Sequence, residues 1–164
     1  MKKIKIVVLL CLLLTVTACK EEKEIKSLEK INYYETNKKT DTVLIELVDD
    51  RKILIELYPD IAPKTVANFK SLVARDFYDD VIFHRVIKDF MIQTGDASSF
   101  GRTANTITGE FSENGIENNL SHERGVVSMA RTSISMDSAS SQFFIMHQDN
   151  PYLDGNYAAF GKVI

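Results

Sequence analysis

The sequence has almost no cysteine: its 164 residues include only Cys11 and Cys19, both near the N-terminus. The remainder of the chain therefore has no disulfide, no cysteine nucleophile and no cysteine-ligated zinc site. The three histidines, His84, His122 and His147, are scattered without the spacing of metal ligands, so we assign no metal. No serine lies in a G-x-S-x-G turn, which argues against a serine hydrolase.

A surplus of basic residues is also missing. The chain has 20 Lys and Arg against 23 Asp and Glu, a formal charge of −3, so we expect no nucleic-acid partner. The apolar run over residues 6–16 is too short to cross a bilayer, which takes about 20 residues. The length allows one domain with a real core, and an apolar fraction of 45% is ordinary for a globular protein.

The first residues predict a targeting segment. Three lysines within the first five residues precede the apolar run, and residues 16–19, Val-Thr-Ala-Cys, resemble a bacterial lipobox, in which the cysteine is acylated. Palmitate-type acylation of Cys19 with two or more chains would anchor the protein stably in a membrane. The alternative is an ordinary secretory signal peptide that happens to contain Cys19. We predict a lipoprotein signal peptide over 1–18, a polar tether over 19–40 and the folded domain over 41–164.

The domain itself is predicted to be mainly β. Alternating apolar residues over 43–48 and 53–57 predict a hairpin. Pro63 suits the first turn of a helix, and an amphipathic pattern follows it. Further short strands are predicted over 126–130, 142–146 and 157–163. The long polar region 97–124 has little regular pattern, which favours a functional or disordered loop.

The most informative stretch reads FHRVIKDFMIQTGD, residues 83–96. Two apolar runs, 81–87 and 90–93, are separated by a polar pair and predict two strands joined by a turn. Arg85 and Gln93 are polar residues that a buried strand would not choose. A mostly apolar surface with a few aimed donors is typical of a small binding pocket.

Five ordered blocks resemble the cyclophilins, the peptidyl-prolyl cis-trans isomerases built on an eight-stranded barrel. The blocks are PKTVANF (63–69), FHRVIKDFMIQTGD (83–96), GVVSMAR (125–131), SSQFFIM (140–146) and YLDGNYAAFGKV (152–163). One block alone would be a weak signal, but five in order from about residue 40 to the end are a strong one. The resemblance implies a closed antiparallel barrel with a capping helix. It also implies a monomeric prolyl isomerase without a cofactor, acting on X-Pro bonds during folding of proteins outside the cytoplasm.

The resemblance also implies the site. Arg85 is the expected catalytic donor, with Gln93 and Phe90 beside it. The expected substrate-binding residues are His84, Met91, Ala130, Arg131, Gln142, Phe144, Tyr152, Leu153 and Tyr157. Among these, the backbone of Arg131 is expected to contact the substrate, and His84 to support the Arg85 strand by hydrogen bonding.

The chain departs from the family pattern in places. Tyr157 stands where a histidine is common, and Tyr152 where eukaryotic members have a tryptophan, so we expect proline binding to persist and cyclosporin binding to weaken. The 97–124 region has fewer glycines than the corresponding family segment. In the family a second helix and a last strand follow the final block, whereas the sequence given ends at Ile164. We therefore expect either that the sequence is a fragment, which we favour, or that the barrel has an unpaired edge; we expect low stability if Ile164 is the true terminus.

Other interpretations stay open on the sequence. The apolar pocket residues could be ordinary core, and Arg85 could pair with Asp89 or Glu110 on the surface. A non-catalytic module that binds proline-containing peptides, or holds unfolded chains, could use the same fold. A solute-binding lipoprotein would need a larger, two-lobed domain.

Overall fold

The computed structural model describes residues 41–164 in full and the backbone of residues 3–7. Nine strands and one α-helix are found in this part of the chain. They are β1 Lys3–Val7, β2 Thr42–Leu47, β3 Lys52–Leu57, α1 Pro63–Val73, β4 Val81–Ile82, β5 Arg85–Ile87, β6 Met91–Thr94, β7 Val126–Met129, β8 Phe143–Met146 and β9 Ala159–Val163. Short 3₁₀ turns lie at Ser98–Phe100, Ser112–Asn114 and Pro151–Leu153. The predicted mainly β class with a single helix is confirmed.

All pairings between the strands are antiparallel, in the order β4-β1-β2-β3-β9-β7-β8-β6-β5. The two edge strands, β4 and β5, are joined by only Phe83 and His84, so the sheet must curl to bring its edges together. No hydrogen-bonded ladder joins β4 to β5 among the described residues. The predicted antiparallel barrel is found as a curled half-barrel with one helix, whose first and last strands meet at residues 83–84.

The helix packs on one face of this sheet and seals the main core. Its apolar face buries Val66, Phe69, Leu72 and Val73, as the amphipathic pattern predicted. The main core is defined here by its four contacting aromatic rings, those of Phe69, Tyr78, Phe143 and Phe160, whose centroids lie 5.1–5.6 Å apart along the contacts that join them. These rings are essentially inaccessible to solvent. This end of the molecule is a dry, close-packed interior.

The helix start depends on a residue from the long loop. Ala62 at the N-cap has no side chain that could accept a hydrogen bond. Instead the Glu110 carboxylate accepts the backbone N–H of Lys64 at 3.0 Å and that of Thr65 at 2.7 Å, as well as the Thr65 hydroxyl at 2.7 Å. Residues 97–124 are therefore held to the domain although they contain little regular structure.

The strand β1 lies within the predicted signal peptide. Its backbone pairs with β2, where Ile6 faces Ile45, and with β4, where Ile4 faces Val81. The signal peptide stays a prediction. If the chain is cleaved before Cys19, β1 is removed and β2 and β4 lose their shared partner strand. Cys19 and the tether over 20–40 lie outside the described residues. In the part of the chain that is described, no helix has the length and apolar character needed to cross a membrane.

Candidate functional site

A cleft of about 150 Å³ opens on the face of the sheet away from the main core. It is lined by Arg85, Phe90, Met91, Gln93, Ala130, Arg131, Phe144, Leu153 and Tyr157. All of these residues were predicted as site residues from the sequence. The structure brings them together from β5, the β5–β6 turn, β6, the segment after β7, β8 and the segment before β9.

The polar edge of the cleft is built by the β5–β6 pair. Arg85 and Gln93 are cross-strand partners, and Arg85 Nη1 donates to Gln93 Oε1 at 3.3 Å. Gln93 Nε2 in turn donates to Gln142 Oε1 at 2.9 Å. Because Arg85 has no carboxylate partner among the described residues, the interpretation of Arg85 as an ion-pair partner of Asp89 or Glu110 is wrong. Its guanidinium is exposed at the cleft, and the amide of Gln93 sets its direction.

The apolar floor comes from alternation along β6 and β8. Phe143 is 0% exposed in the main core, whereas the next residue, Phe144, points to the opposite face and lines the cleft. Met91 lies on the neighbouring strand, opposite Met146. The Phe144 ring meets the Tyr157 ring edge to face, at 5.7 Å and 83°. These apolar residues are part of a small cluster and also line the cleft, so the plain core interpretation is incomplete.

Arg131 and Tyr157 line the cleft next to Phe144. The Arg131 guanidinium lies 4.9 Å from the Tyr157 ring centroid and 5.3 Å from that of Phe111. Arg131 Nε donates to the Asn156 carbonyl at 2.8 Å, and Nη1 to the Thr132 carbonyl at 3.1 Å. The sequence analysis assigned a role to the backbone of Arg131, but the side chain itself lines the cleft.

Three predicted residues do not line the cleft. Gln142 does not line the cleft itself but accepts a hydrogen bond from Gln93, which does. Tyr152 is 90% exposed, because the 3₁₀ turn Pro151–Leu153 directs Leu153 inward and leaves Tyr152 in solvent. His84 is exposed in the break between β4 and β5, and no hydrogen bond to its side chain is found within residues 41–164. The expected supporting hydrogen bond of His84 is therefore wrong.

Sequence reasoning missed the group behind Phe144. His122 is 2% exposed and stacks on the Phe144 ring at 6.1 Å. Its Nδ1 lies 2.8 Å from Asp154 Oδ1 and its Nε2 lies 3.0 Å from Ser128 Oγ. No sequence signal could have found this group, because its members come from three separate segments and share no motif.

The electrostatics of this group favour a neutral imidazole. Burial lowers the pKa of His122 from its usual value, and the Asp154 carboxylate only partly opposes this effect. For Asp154, burial acts to raise the pKa, but the hydrogen bonds from the backbone and ring of His122 outweigh it and lower the pKa. The His122 imidazole that stacks on Phe144 is therefore uncharged at neutral pH, and both of its ring nitrogens are hydrogen-bonded.

The cleft offers positioning and a fixed positive charge rather than acid–base chemistry. It combines an apolar hollow, the Gln93 amide and the guanidinium groups of Arg85 and Arg131. Within the described residues, no group of three or more His, Cys, Asp and Glu residues could hold a metal ion. Such a site suits a reaction whose transition state is reached by twisting a bond and not by moving protons.

Comparison with known proteins agrees with this geometry. The family model described as cyclophilin type peptidyl-prolyl cis-trans isomerase matches residues 26–164. The chain is 46% identical to the peptidyl-prolyl cis-trans isomerase ppi1 of Schizosaccharomyces pombe over 114 residues, which is 69% of this chain and 72% of that protein. It is 49% identical to peptidyl-prolyl cis-trans isomerase 10 of Caenorhabditis elegans over 113 residues, 68% of this chain and 69% of the relative.

Solved structures give the same result. The cyclophilin type isomerase of Cryptosporidium parvum, crystallised in the presence of the dipeptide Ala-Pro, superposes with a TM-score of 0.60 at 34% identity. The match covers 69% of this chain and 72% of that one. The cyclophilin AquaCyp293 from Hirschia baltica gives a TM-score of 0.68 at 26% identity, with 90% of this chain and 71% of the other covered.

Proposed function

The chain belongs to the cyclophilin-type peptidyl-prolyl cis-trans isomerase family and is an enzyme of that class, and we propose that Arg85 and the cleft beside it carry out the reaction. The observation that supports this assignment is the geometry of the β5–β6 pair. The Arg85 guanidinium, which has no carboxylate partner within residues 41–164, is held by Gln93 at the rim of an apolar hollow.

The reaction is rotation about the bond that precedes a proline. A peptide C–N bond has partial double-bond character and a rotation barrier of about 18–20 kcal/mol. Rotation removes the conjugation, so the prolyl nitrogen becomes pyramidal and gains a lone pair that accepts a hydrogen bond. A cationic donor that meets this lone pair stabilises the twisted state more than either planar state, which is the requirement for catalysis.

Arg85 alone is insufficient for a large rate gain. An acceleration of about 10⁵ requires roughly 7 kcal/mol, whereas one preorganised donor supplies about 3–4 kcal/mol. The remainder is assigned to the cleft, where Phe90, Met91, Phe144 and Leu153 surround the proline ring and exclude water. Gln93 holds the neighbouring substrate carbonyl, since its side chain is already oriented by Arg85 and Gln142.

The size of the cleft supports proline as the bound group. Its volume of about 150 Å³ is well below the roughly 300–1,000 Å³ of pockets for drug-sized ligands, so it suits a single small ring. The Cryptosporidium parvum relative was crystallised with Ala-Pro, a dipeptide that presents such a ring. We assign proline-containing polypeptides as the substrates of this chain.

Substitution of Arg85 tests the catalytic assignment. In a peptide isomerisation assay, Arg85→Ala should lower kcat/KM by about 10²–10³-fold, the usual effect of losing one preorganised donor. Arg85→Lys should recover only part of the loss, because an ammonium lacks the planar fork. Arg75→Ala is the matched control, since Arg75 is exposed after α1 and does not line the cleft. An unchanged rate in Arg85→Ala would refute the assignment.

The cellular placement is a separate proposal. We place the enzyme outside the cytoplasm of a bacterium, anchored to the membrane through acylated Cys19, with proteins of that compartment as its folding clients. The support is the sequence alone: lysines, an 11-residue apolar run over 6–16 and small residues directly before the cysteine. The curated relatives named above come from a fungus and a nematode and lend this part no support.

The lipoprotein proposal is tested by expression in a bacterial host with a labelled palmitate analogue. Wild type and Cys11→Ala should incorporate the label and fractionate with membranes, whereas Cys19→Ala should do neither. The mass of the mature chain gives a second measurement, because processing removes residues 1–18 and with them β1. A label that persists in Cys19→Ala, or a mature protein that retains Lys3–Val7, would overturn the proposal.

A further inference from the structure

Arg131 is the second cation that lines the cleft, and two aromatic rings and two backbone carbonyls hold its side chain in place. Its guanidinium lies between the rings of Phe111 and Tyr157, at 5.3 and 4.9 Å from their centroids. Stacking between two aromatic rings and two hydrogen bonds to backbone carbonyls restrict its rotamers. A flexible side chain loses conformational entropy when it binds a ligand. Because the Arg131 side chain is already ordered in the free protein, binding costs it little further conformational entropy.

Part of the hydrogen-bonding capacity of Arg131 is unused. A guanidinium carries five N–H donors. One is used by the Asn156 carbonyl and one by the Thr132 carbonyl. The other three, including both on Nη2, have no acceptor among residues 41–164. Because the side chain lines the cleft, a ligand held there is in reach of these donors.

The charge around the cleft is of one sign. Arg85 and Arg131 both line it, and no Asp or Glu of the described chain does. Of the acidic residues on the adjoining segments, Asp89 in the β5–β6 turn is 64% exposed and lies 3.9 Å from His147 Nδ1, whereas Asp154 and Asp137 are engaged in hydrogen bonds. Asp154 accepts hydrogen bonds from His122, and Asp137 accepts those of the Gly109 N–H at 2.9 Å and of the Asn114 side chain at 2.8 Å. Within residues 41–164, no carboxylate lines the cleft to compensate these two positive charges, which favours ligands of negative charge.

We propose that Arg131 determines substrate specificity, by selecting X-Pro segments with an acidic side chain next to the proline. This inference rests on the proposed function of the cleft. A Glu or Asp beside the bound proline supplies the carboxylate that the free N–H donors of Arg131 lack, in a charge-assisted hydrogen bond. A Lys or Arg at the same position meets two like charges. The enzyme therefore prefers acidic proline-containing segments over neutral ones, and neutral over basic ones.

The test compares peptides that differ only in charge. Two pairs are used, one with Glu or Gln directly before the proline and one with Glu or Gln directly after it. For at least one pair, kcat/KM of the wild type should favour Glu by about fivefold, the upper range for a partly exposed ion pair. The preference should weaken at high salt, since screening is stronger there. A wild type that treats Glu and Gln alike in both pairs overturns the proposal.

Variants assign the preference to Arg131. In Arg131→Gln the Glu-to-Gln ratio should fall to nearly one, whatever happens to the absolute rate, because a ratio within one variant cancels general damage to the site. Arg131→Lys should keep part of the ratio, since it keeps the charge and loses the stacking. Arg75→Gln, the same loss of charge away from the cleft, should leave the ratio unchanged. A ratio that survives in Arg131→Gln would assign the preference to Arg85 and overturn the proposal.

Equilibrium binding separates the two hypotheses. The same peptides are titrated into each folded variant, with peptide fluorescence anisotropy as the readout. A wild type that binds Glu peptides more tightly but isomerises none of them would refute the proposed catalytic role of the cleft and support the role of Arg131. A wild type that isomerises all peptides at one rate and binds them with one affinity would support the catalytic role of the cleft and refute the role of Arg131 in specificity.

Discussion

Phe143 and Phe144 are consecutive on β8, yet they belong to two different regions of the molecule. Phe143 enters the main core, where it contacts Phe69 and Tyr78 in edge-to-face pairs and is sealed beneath α1. Phe144 enters the small cluster with Met91 and lines a cleft that opens to solvent. Because side chains alternate along a strand, one face of β8 contributes to the stability of the main core and the other face contributes to the cleft.

The two regions also differ in how polar groups are treated. The main core is built from packed rings, with the Tyr78 hydroxyl satisfied by the Ser141 carbonyl at 3.0 Å. The cleft region places His122, Ser128 and Asp154 directly behind its aromatic wall and two arginines in front of it. A site needs oriented polar groups that a core excludes, since each buried polar atom requires a partner.

The largest effect on stability is expected in the main core. Phe143→Ala should lower the free energy of unfolding by about 3–5 kcal/mol, because the sealed position leaves a cavity that neighbouring rings cannot fill. Urea unfolding followed by circular dichroism measures this. A loss below about 1 kcal/mol would break the comparison, since it would mean that this side of β8 packs no better than the open side.

Phe144→Ala should reverse the balance of effects. Its stability cost should be smaller, about 2–3 kcal/mol, because the truncated side chain widens a cleft that water already reaches. Its kcat/KM should fall about tenfold or more, because the proline ring loses one wall of its pocket. Isomerase assays and urea unfolding on the same preparation test both statements. Equal losses of stability in the two Phe→Ala variants would contradict the assignment of the two faces.

Glu110→Gln should affect stability and leave catalysis intact. The carboxylate caps α1 through three hydrogen bonds to Lys64 and Thr65, and an amide cannot accept all of them. We expect a loss of about 1–2 kcal/mol, in the range for helix caps and for hydrogen bonds to charged groups. Glu113→Gln, an exposed change on the same loop, is the matched control and should have no effect. A fall in kcat/KM with unchanged stability would show that this loop serves the cleft instead.

The smallest effect is a pH dependence on the cleft side. Burial lowers the pKa of His122 below its unfolded value, so the unfolded state binds more protons in the window between the two values. The free energy of unfolding should therefore rise with pH through that window and level off above about pH 6.5–7. His122→Gln should flatten this rise. A wild-type stability that stays constant below pH 6.5 would contradict the assignment.

Most of the fold could be predicted from local patterns. The hairpin of β2 and β3 follows from alternating apolar residues, and α1 from Pro63 and the spacing of Val66 and Phe69. Both are periodic signals that neighbouring residues determine. The break at Phe83 and His84 was not predicted, because one continuous apolar run gives no sign of where hydrogen bonding moves from one edge of the sheet to the other.

The site shows the same division. The residues lining the cleft were predicted through five ordered blocks, not through any single residue. The errors were in orientation: Tyr152 points to solvent, His84 supports nothing that the structure shows, and the Arg131 side chain lines the cleft. Side-chain direction depends on turns and packing partners from distant segments, which a linear pattern does not contain.

The sequence by itself determined the family, the strand and helix segments and the residue types of the cleft, since ordered motifs and apolar periodicity are properties of the chain. Only the tertiary structure decided that His122, Ser128 and Asp154 meet behind Phe144, that Glu110 caps α1, and that Arg131 is held between Phe111 and Tyr157. Most of these contacts join residues that are far apart in the chain, and they depend on the curled sheet bringing those segments together so that buried polar groups find partners.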